Sequence, residues 1–344
     1  MPTVARIRGA ILEEIVLALL HKAGYRILDE NDGEEIKDGP RGLELRGRGE
    51  WHQVDALVGY DFTPAFIYPI RLIVEAKAYL PTRNNKGKVG INVVRNAVGV
   101  SKDVNEDYFS YSLNREEYKI RRFNYTYAIF SLYGFTQNAQ RYAIAHQIFL
   151  IQYYYMPLFQ GLQKELSKIT EKSHIFKNLK KFNLKAFRKS LRKFLKNEYS
   201  EILNFLFKEG IEIMKKIKKE VDEIGGSYFG LLNGEYPIHI LSQKPIRGIE
   251  SEEKIDAEFR IIEAKCVKLT FRNNELYFEL PEVIAELFEK TWGNKRKVAD
   301  LKQKYISFIT LTGFINNIRR NLIIKLDEKW LRDYLEKLKI RQKS

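Results

Sequence analysis

Three residues in the first part of the chain have the types and spacing to do chemistry: Asp55, Glu75 and Lys77. Asp55 opens the apolar stretch VDALVGY, and Glu75 and Lys77 close the stretch RLIVEAKAY, spaced as E-x-K. In an extended strand, residues i and i+2 project from one face. Glu75 and Lys77 therefore stand side by side, and Ala76 leaves its carbonyl near the same edge. With Asp55 on a neighbouring strand, two carboxylates and an ammonium converge. Hard oxygen ligands of this kind suit Mg²⁺, which keeps several waters and completes its shell from substrate phosphate. The expected cation ligands are Asp55, Glu75 and the Ala76 carbonyl, with Mn²⁺ as a substitute ion. Lys77 would polarise a bound water or steady developing charge. This is equipment for hydrolysing a phosphodiester bond.

The E-x-K triplet is weak by itself in a chain this rich in Glu and Lys. A second copy exists, Asp256 followed by Glu263-Ala264-Lys265. Only six residues separate its two acids, which leaves little room for a strand, a turn and a returning strand. Three features set the first copy above an ordinary exposed Glu–Lys pair. The run Arg71-Leu72-Ile73-Val74 reads as a buried strand with the charges at its open end, and burying the approach to charges is costly unless they bind something. Gly47, Gly49 and Gly59 flank Asp55 and permit close approach of a phosphate backbone. Glu13, on the border of a helical apolar face, is a third acid able to reach the cluster. Gln53, two residues before Asp55, is a further candidate on the same expected strand face.

The elements that must position these groups are legible as periodicities. Residues 6–24 carry Ile7, Ile11, Leu12, Ile15, Val16, Leu19 and Leu20 at three- and four-residue spacing, an amphipathic helix with Gly24 as its stop. Residues 30–50 read as a turn-rich segment or short hairpin. Strands are expected at 52–59 and 70–77, a charged loop at 82–88 and a helix over 89–105. Strands near 124–132 and 147–154 flank a helix over 137–146. This order describes an α/β domain with a central mixed sheet, parallel after Lys77 through right-handed crossovers. The expected division is a first domain at 1–157, a basic helical linker region at 158–224 and an α+β domain at 225–344. In the last, strands are expected at 228–232, 236–241, 258–271, 275–280, 305–312 and 321–326, with helices at 281–290 and 327–339.

Composition narrows the partners. The 344 residues carry a formal net charge of +15, a bias toward a polyanion. Between Lys172 and Lys196 there are ten Lys or Arg and no acid, with Phe176, Leu179, Phe187, Leu191 and Phe194 at helical spacing. Lys180, Lys181, Lys185, Arg188, Lys189, Arg192 and Lys193 are the expected phosphate contacts of this segment, joined by Arg95 on the helix over 89–105. The single cysteine, Cys266, excludes an intramolecular disulfide framework and a Cys-based zinc cluster. No apolar run spans a bilayer, and no secretory leader is recognisable in RGAILEEIVLALLHKAGY. A cytoplasmic protein without membrane contact is expected.

The motifs together resemble the PD-(D/E)XK nuclease superfamily and, within it, the Mrr-like restriction endonuclease catalytic domain. The resemblance covers residues 6–154. It rests on LEEIVLALLHKAGY around Glu13, RGEWHQVDALVGY around Asp55, LIVEAKAY around Glu75 and Lys77, VGINVVRNAVGV, and AIFSLYGFTQNAQRYAIAHQIFLIQY. It implies a restriction-endonuclease-like core of the α-β-β-β-α-β type and a divalent-metal-dependent DNA endonuclease. Asp55, Glu75 and Lys77 match the catalytic acid, acid and lysine, and Glu13 matches the first-helix acid. The nominal proline before the first acid is absent, since Val54 stands there. Many Mrr-like domains carry Gln where this chain has Glu75, and the acid strengthens a metal site. The implied role is restriction or defence against foreign DNA. A repair or junction-resolving nuclease shares the same core, and a non-catalytic DNA-binding protein with a vestigial metal site is the reading of another class. Residues 225–344 match no motif and are expected to recognise a target or to dimerise; a homodimer would supply two active sites for double-strand cleavage.

Overall fold

The computed structural model describes residues 2–335, apart from 41, 61–65, 84, 114–115, 121–122, 250–253, 264, 317, 330 and 333–334. The chain is mixed α/β, with several sheets and eight α-helices among the described residues, and it divides into two units. The first comprises residues 1–152 and 161–221, the second residues 153–160 and those from 222 onward.

The first unit opens with α1 (Val4–Lys22), followed by β1 (Arg26–Ile27), β2 (Ile36–Gly39), β3 (Gly42–Arg46), β4 (Trp51–Gln53), β5 (Ala56–Tyr60) and β6 (Ile70–Lys77). Then come α2 (Ile91–Asn105), β7 (Phe109–Leu113), β8 (Glu116–Ile120), β9 (Asn124–Ser131), α3 (Gln137–Ala145) and β10 (Phe149–Gln152). The central sheet has the order β1-β5-β6-β9-β10, antiparallel from β1 to β6 and parallel from β6 to β10. Parallel pairing needs crossovers. Helices α2 and α3 lie in those two connections.

Strand β6 is buried on both faces, which is why it reads as a continuous apolar run. Ile73 packs with Leu57, Val94, Ala97, Ile129 and Phe135 in a core under α2 and α3, while α1 packs against β6. Thr3 caps α1 by accepting from the Arg6 amide, and Gly24 ends it at φ 95°. The expected one-faced amphipathic helix is in fact buried on most of its circumference, because it also packs against a helix of the basic segment. In this unit β1 and the β7–β8 hairpin were not expected, and the expected strand 52–59 is broken. Residues 54 and 55 separate β4, in the small antiparallel sheet β2-β3-β4, from β5 in the central sheet.

The basic segment folds as α4 (Gln160–Ser167), α5 (Leu184–Leu195) and α6 (Lys208–Glu223), with short 3-10 turns at Leu179–Lys181 and Ile202–Phe205. Where composition suggests a linker between domains, α5 instead packs on α1 and residues 161–221 belong to the first unit. Asn183 caps α5, and its apolar stripe of Phe187, Leu191 and Leu195 is buried. Phe182 and Phe187 tilt against each other and pack edge-on against Phe176 and Phe205, so these rings pack together.

The second unit is a closed seven-stranded barrel. Its strands are β11 (Gly226–Leu232), β12 (Tyr236–Ser242), β13 (Lys254–Ile262), β14 (Cys266–Phe271), β15 (Asn274–Glu279), β16 (Phe308–Ile315) and β17 (Ile318–Leu326). Helices α7 (Glu282–Thr291) and α8 (Lys295–Tyr305) lie between β15 and β16. The order β11-β12-β15-β14-β13-β17-β16 closes through β16 on β11, with one parallel pair, β13 and β17. Inside this unit His239 bonds through Nδ1 to the Tyr153 hydroxyl at 2.7 Å and through Nε2 to the Ser227 hydroxyl at 2.8 Å. Burial pushes the His239 pKa down to about 3, so the ring is neutral. The expected terminal helix at 327–339 lies largely outside the described residues.

Candidate active site

Asp55 and Glu75 come together because β5 and β6 pair antiparallel with Ala56 opposite Val74. One step beyond that pair, Asp55 and Glu75 are cross-strand neighbours on one face. Lys77 follows Glu75 on the same face of β6. The Lys77 Nζ lies 2.7 Å from Glu75 Oε1 and 3.8 Å from Asp55 Oδ2. The Ala76 amide points at Asp55 Oδ2 at 3.4 Å. Tyr127, diagonal to Glu75 on β9, donates its hydroxyl to Glu75 Oε2 at 2.9 Å.

The electrostatics follow from this packing. Burial works against the charge on Lys77, but Glu75 and then Asp55 outweigh it and hold the ammonium above the ordinary lysine range. Burial and the charge of Glu75 push the Tyr127 hydroxyl well up, so it is a donor only. Glu13, on α1, has a pKa raised to about 8, first by burial and then by the charge of Asp55, against the pull of Arg188. Glu13, Gln53, Asp55, Ala76 and Lys77 all line one cleft of about 930 Å³.

The structure brings together Asp55, Glu75, Lys77 and Glu13, and distributes the other expected residues more widely. Gln53 shares no strand with Asp55. It ends β4 in the small sheet, exposed, and meets the cleft from there. Arg188 and Arg192 line the cleft, and both pair with acids of α1. Arg188 stands 2.9 Å from Glu13 Oε2 and 2.9 Å from Glu14 Oε1, and Arg192 lies 2.7 Å from Glu14 Oε2. Lys185 is paired with Asp38 and lines the cleft, as does exposed Lys189. Lys180, Lys181 and Lys193 are exposed but lie outside the cleft wall. Arg95 sits over the Tyr142 ring at 5.7 Å and does not line the cleft. The second acid-and-lysine copy is not assembled as a site: Glu263 occupies the β13–β14 turn at φ 50°, Lys265 pairs with Glu289 at 2.5 Å, and Ala264 lies outside the described residues.

Three contributors were missed: Tyr127, Glu14, and Arg188 in its inward role. Tyr127 carries no motif. Glu14 carried a signal, because an acid inside the apolar run ILEEIVLALL must be paired if buried.

Among the described residues, no group of three or more His, Cys, Asp or Glu side chains could hold a metal ion by itself. Two acids and a main-chain carbonyl form a smaller donor set. Mg²⁺ accepts such a set because it retains waters and shares substrate oxygens. No described helix is long and apolar enough to cross a membrane.

No protein-family model and no curated protein matches the chain. Among solved structures it is similar to the crystal structure of a protein of unknown function, AF1548, at 15% sequence identity and a TM-score of 0.31, over 62% of this chain and 95% of that one. A likeness this low bears on neither fold family nor activity.

Proposed function

We propose that the protein is a divalent-metal-dependent DNA endonuclease of the PD-(D/E)XK type, Mrr-like and serving restriction or defence. The observation that carries this is the meeting of Asp55, Glu75 and Lys77 at the open end of β6, with Asp55 and Lys77 on the wall of a cleft. The finer fold reading, a restriction-endonuclease-like core, is supported by the order α1, β1, β5, β6, α2, β9 around an antiparallel-then-parallel sheet.

Asp55, Glu75 and the Ala76 carbonyl would hold Mg²⁺, or Mn²⁺ in its place. The donors fit: they are hard oxygens, and a cation would offset the charge of Asp55, which adds to burial in raising the Glu13 pKa. When bound, the ion supplies Lewis-acid polarisation and a water of lowered pKa. The chain's own residues do the remaining work. Lys77, held charged by its acids, orients the attacking water or donates to the non-bridging oxygens as charge grows on the phosphorus. Tyr127 fixes Glu75. Exposed Lys189 on the cleft wall attracts the backbone of the DNA.

The test is nicking of supercoiled plasmid with Mg²⁺, with Mn²⁺ and with EDTA, beside an Asp55→Ala control. Nicking that needs the ion and Asp55 supports the reading. Nicking that survives Asp55→Ala, or DNA binding with no nicking in either ion, removes it.

A further inference from the structure

Helix α5 reaches into the site with an arginine that the nuclease reading does not require. Glu14 is fully buried at its side chain and accepts from Arg188 Nε at 2.9 Å and from Arg192 Nε and Nη2 at 2.7 and 3.0 Å. This bidentate grip locks the two arginines, one turn apart on α5, against α1. Arg188 then has two nitrogens left, and both lie against the site. Its Nη1 stands 2.9 Å from Glu13 Oε2, an oxygen that has no hydrogen-bond partner among the described residues. Its Nη2 donates to the Asp55 carbonyl at 2.9 Å.

Asp55 belongs to no strand, since β4 ends at Gln53 and β5 begins at Ala56. The sheet ladders therefore leave its backbone to be fixed by something else, and Arg188 bonds to it. The Glu14 grip and the buried stripe of Phe187, Leu191 and Leu195 already hold α5 in place. The bond to the Asp55 carbonyl acts on the main chain that carries the acid.

We propose that Arg188 is a positioning residue of the active site: from α5 its guanidinium fixes the main chain of Asp55 and the carboxylate of Glu13, so the site is complete only with α5 packed on α1. This rests on the nuclease reading. It makes α5 a joint element of the cleft wall, with Arg188 and Arg192 paired to the acids of α1 and Lys185 and Lys189 lining the same wall. A planar fork is required, because a lysine ammonium cannot serve Glu14, Glu13 and the Asp55 carbonyl in three fixed directions.

The experiment uses the full chain and the variants Arg188→Ala, Arg188→Lys and Glu14→Gln. Plasmid nicking gives kcat and KM, and amide hydrogen exchange is read on peptides covering residues 54–60. For Arg188→Ala the expected result is a kcat lower by about 30-fold or more, with KM changed by less than about threefold. Exchange at residues 54–57 should quicken by about tenfold while β9 peptides are unmoved. Arg188→Lys should fall between it and the wild type. A cooperatively melting Arg188→Ala with wild-type kcat and wild-type exchange overturns the proposal. Should Arg188→Ala not fold, Arg188→Lys decides: lost kcat with a retained melt supports it, and unchanged kcat overturns it. Should the wild type fail to nick with either ion, the nuclease reading falls by itself. Exchange then judges Arg188 alone, faster at 54–57 in its favour and unchanged against it.

Discussion

Strand β6 carries a charged cluster at each end, and the two are built to opposite purposes. Near its start, Arg71 and Glu35 form an ion pair with side chains only 6% and 2% exposed. Every direction around Arg71 is filled: Asp32 O at 3.0 Å, Tyr125 OH at 3.3 Å, and the Phe123 ring at 3.5 Å from the guanidinium carbon. At the other end Asp55 and Lys77, 26% and 22% exposed, open onto a cleft, and Glu75 beside Lys77 is 12% exposed. Each end has a tyrosine from β9, Tyr125 for Arg71 and Tyr127 for Glu75. The first cluster is closed on itself, as a charge pair in a core must be. The second keeps oxygens facing solvent, and groups left accessible at the cost of their own burial are groups available to a ligand.

The sharpest way to break this comparison is to remove the open cluster. Asp55→Ala and Lys77→Ala should each cut nicking on the order of 10³-fold, the scale seen when a preorganised charge is taken from a transition state. Affinity for DNA, measured by fluorescence anisotropy without divalent ion, should stay near wild type. Full activity in both variants would mean that the open end of β6 is as structural as the closed one.

The closed cluster should respond in stability instead. Arg71→Leu strands Glu35 in the core and should destabilise the protein by about 3–5 kcal/mol, whereas Glu35→Leu with Arg71→Leu should recover most of that loss. Urea melts of the three proteins check it. The kcat of the folded variants should remain within about threefold of wild type, because nothing at that end touches the cleft. A double variant no more stable than the single one would show that the pair itself is worth more than its desolvation.

Much of this contrast could be read from the sequence, and the rest could not, for identifiable reasons. The alternation of a strand places Glu75 beside Lys77 whatever the register, and the apolar run before them announces a buried strand with a charged end. Asp55 was legible as a partner acid, but the break at 54–55 was not, since VDALVGY is as apolar as a continuous strand. The basic segment shows the same limit. Lys185, Arg188, Lys189, Arg192 and Lys193 are all cations at helical spacing, and helical period alone does not say which stripe faces inward. The answer lay on another element, in Glu14, whose burial demands a counter-charge. In the second unit the strand stretches were found, but the single strand expected over 258–271 is two, β13 and β14, and the closed barrel was not foreseen, because it includes a parallel pair between β13 and β17 that are far apart in sequence. Helix α8 was missed because NKRKVADLKQKY offers few apolar positions, only Ala299 among them being buried.

Tyrosine pairs allow a finer cut. Tyr127→Phe removes the donor to Glu75 but leaves its ion pair with Lys77. A hydrogen bond to a charged group is worth about 1.5–3 kcal/mol, so kcat should fall by about 10-fold or somewhat more, with a small change in melting temperature. Tyr125→Phe, at the closed end, should leave kcat unchanged, because Arg71 keeps Glu35, the Asp32 carbonyl and the Phe123 ring. Equal effects of the two substitutions on kcat would erase the distinction between the ends.

The smallest effect separates the lysines of α5 by how firmly they are held. Lys189 is exposed on the cleft wall, whereas Lys185 shares its charge with Asp38. Each phosphate that a lysine neutralises on duplex DNA steepens the dependence of log affinity on log salt by about 0.9. Lys189→Ala should flatten that slope by an amount of this order between low and physiological salt. Lys185→Ala should flatten it less, since breaking the pair with Asp38 recovers part of what docking gains. Both should leave kcat nearly intact at saturating DNA, because neither touches Asp55, Glu75 or Lys77. A slope that changes for Lys185 and not for Lys189 would put the nucleic acid on the Asp38 side of the cleft and reverse the assignment of its walls.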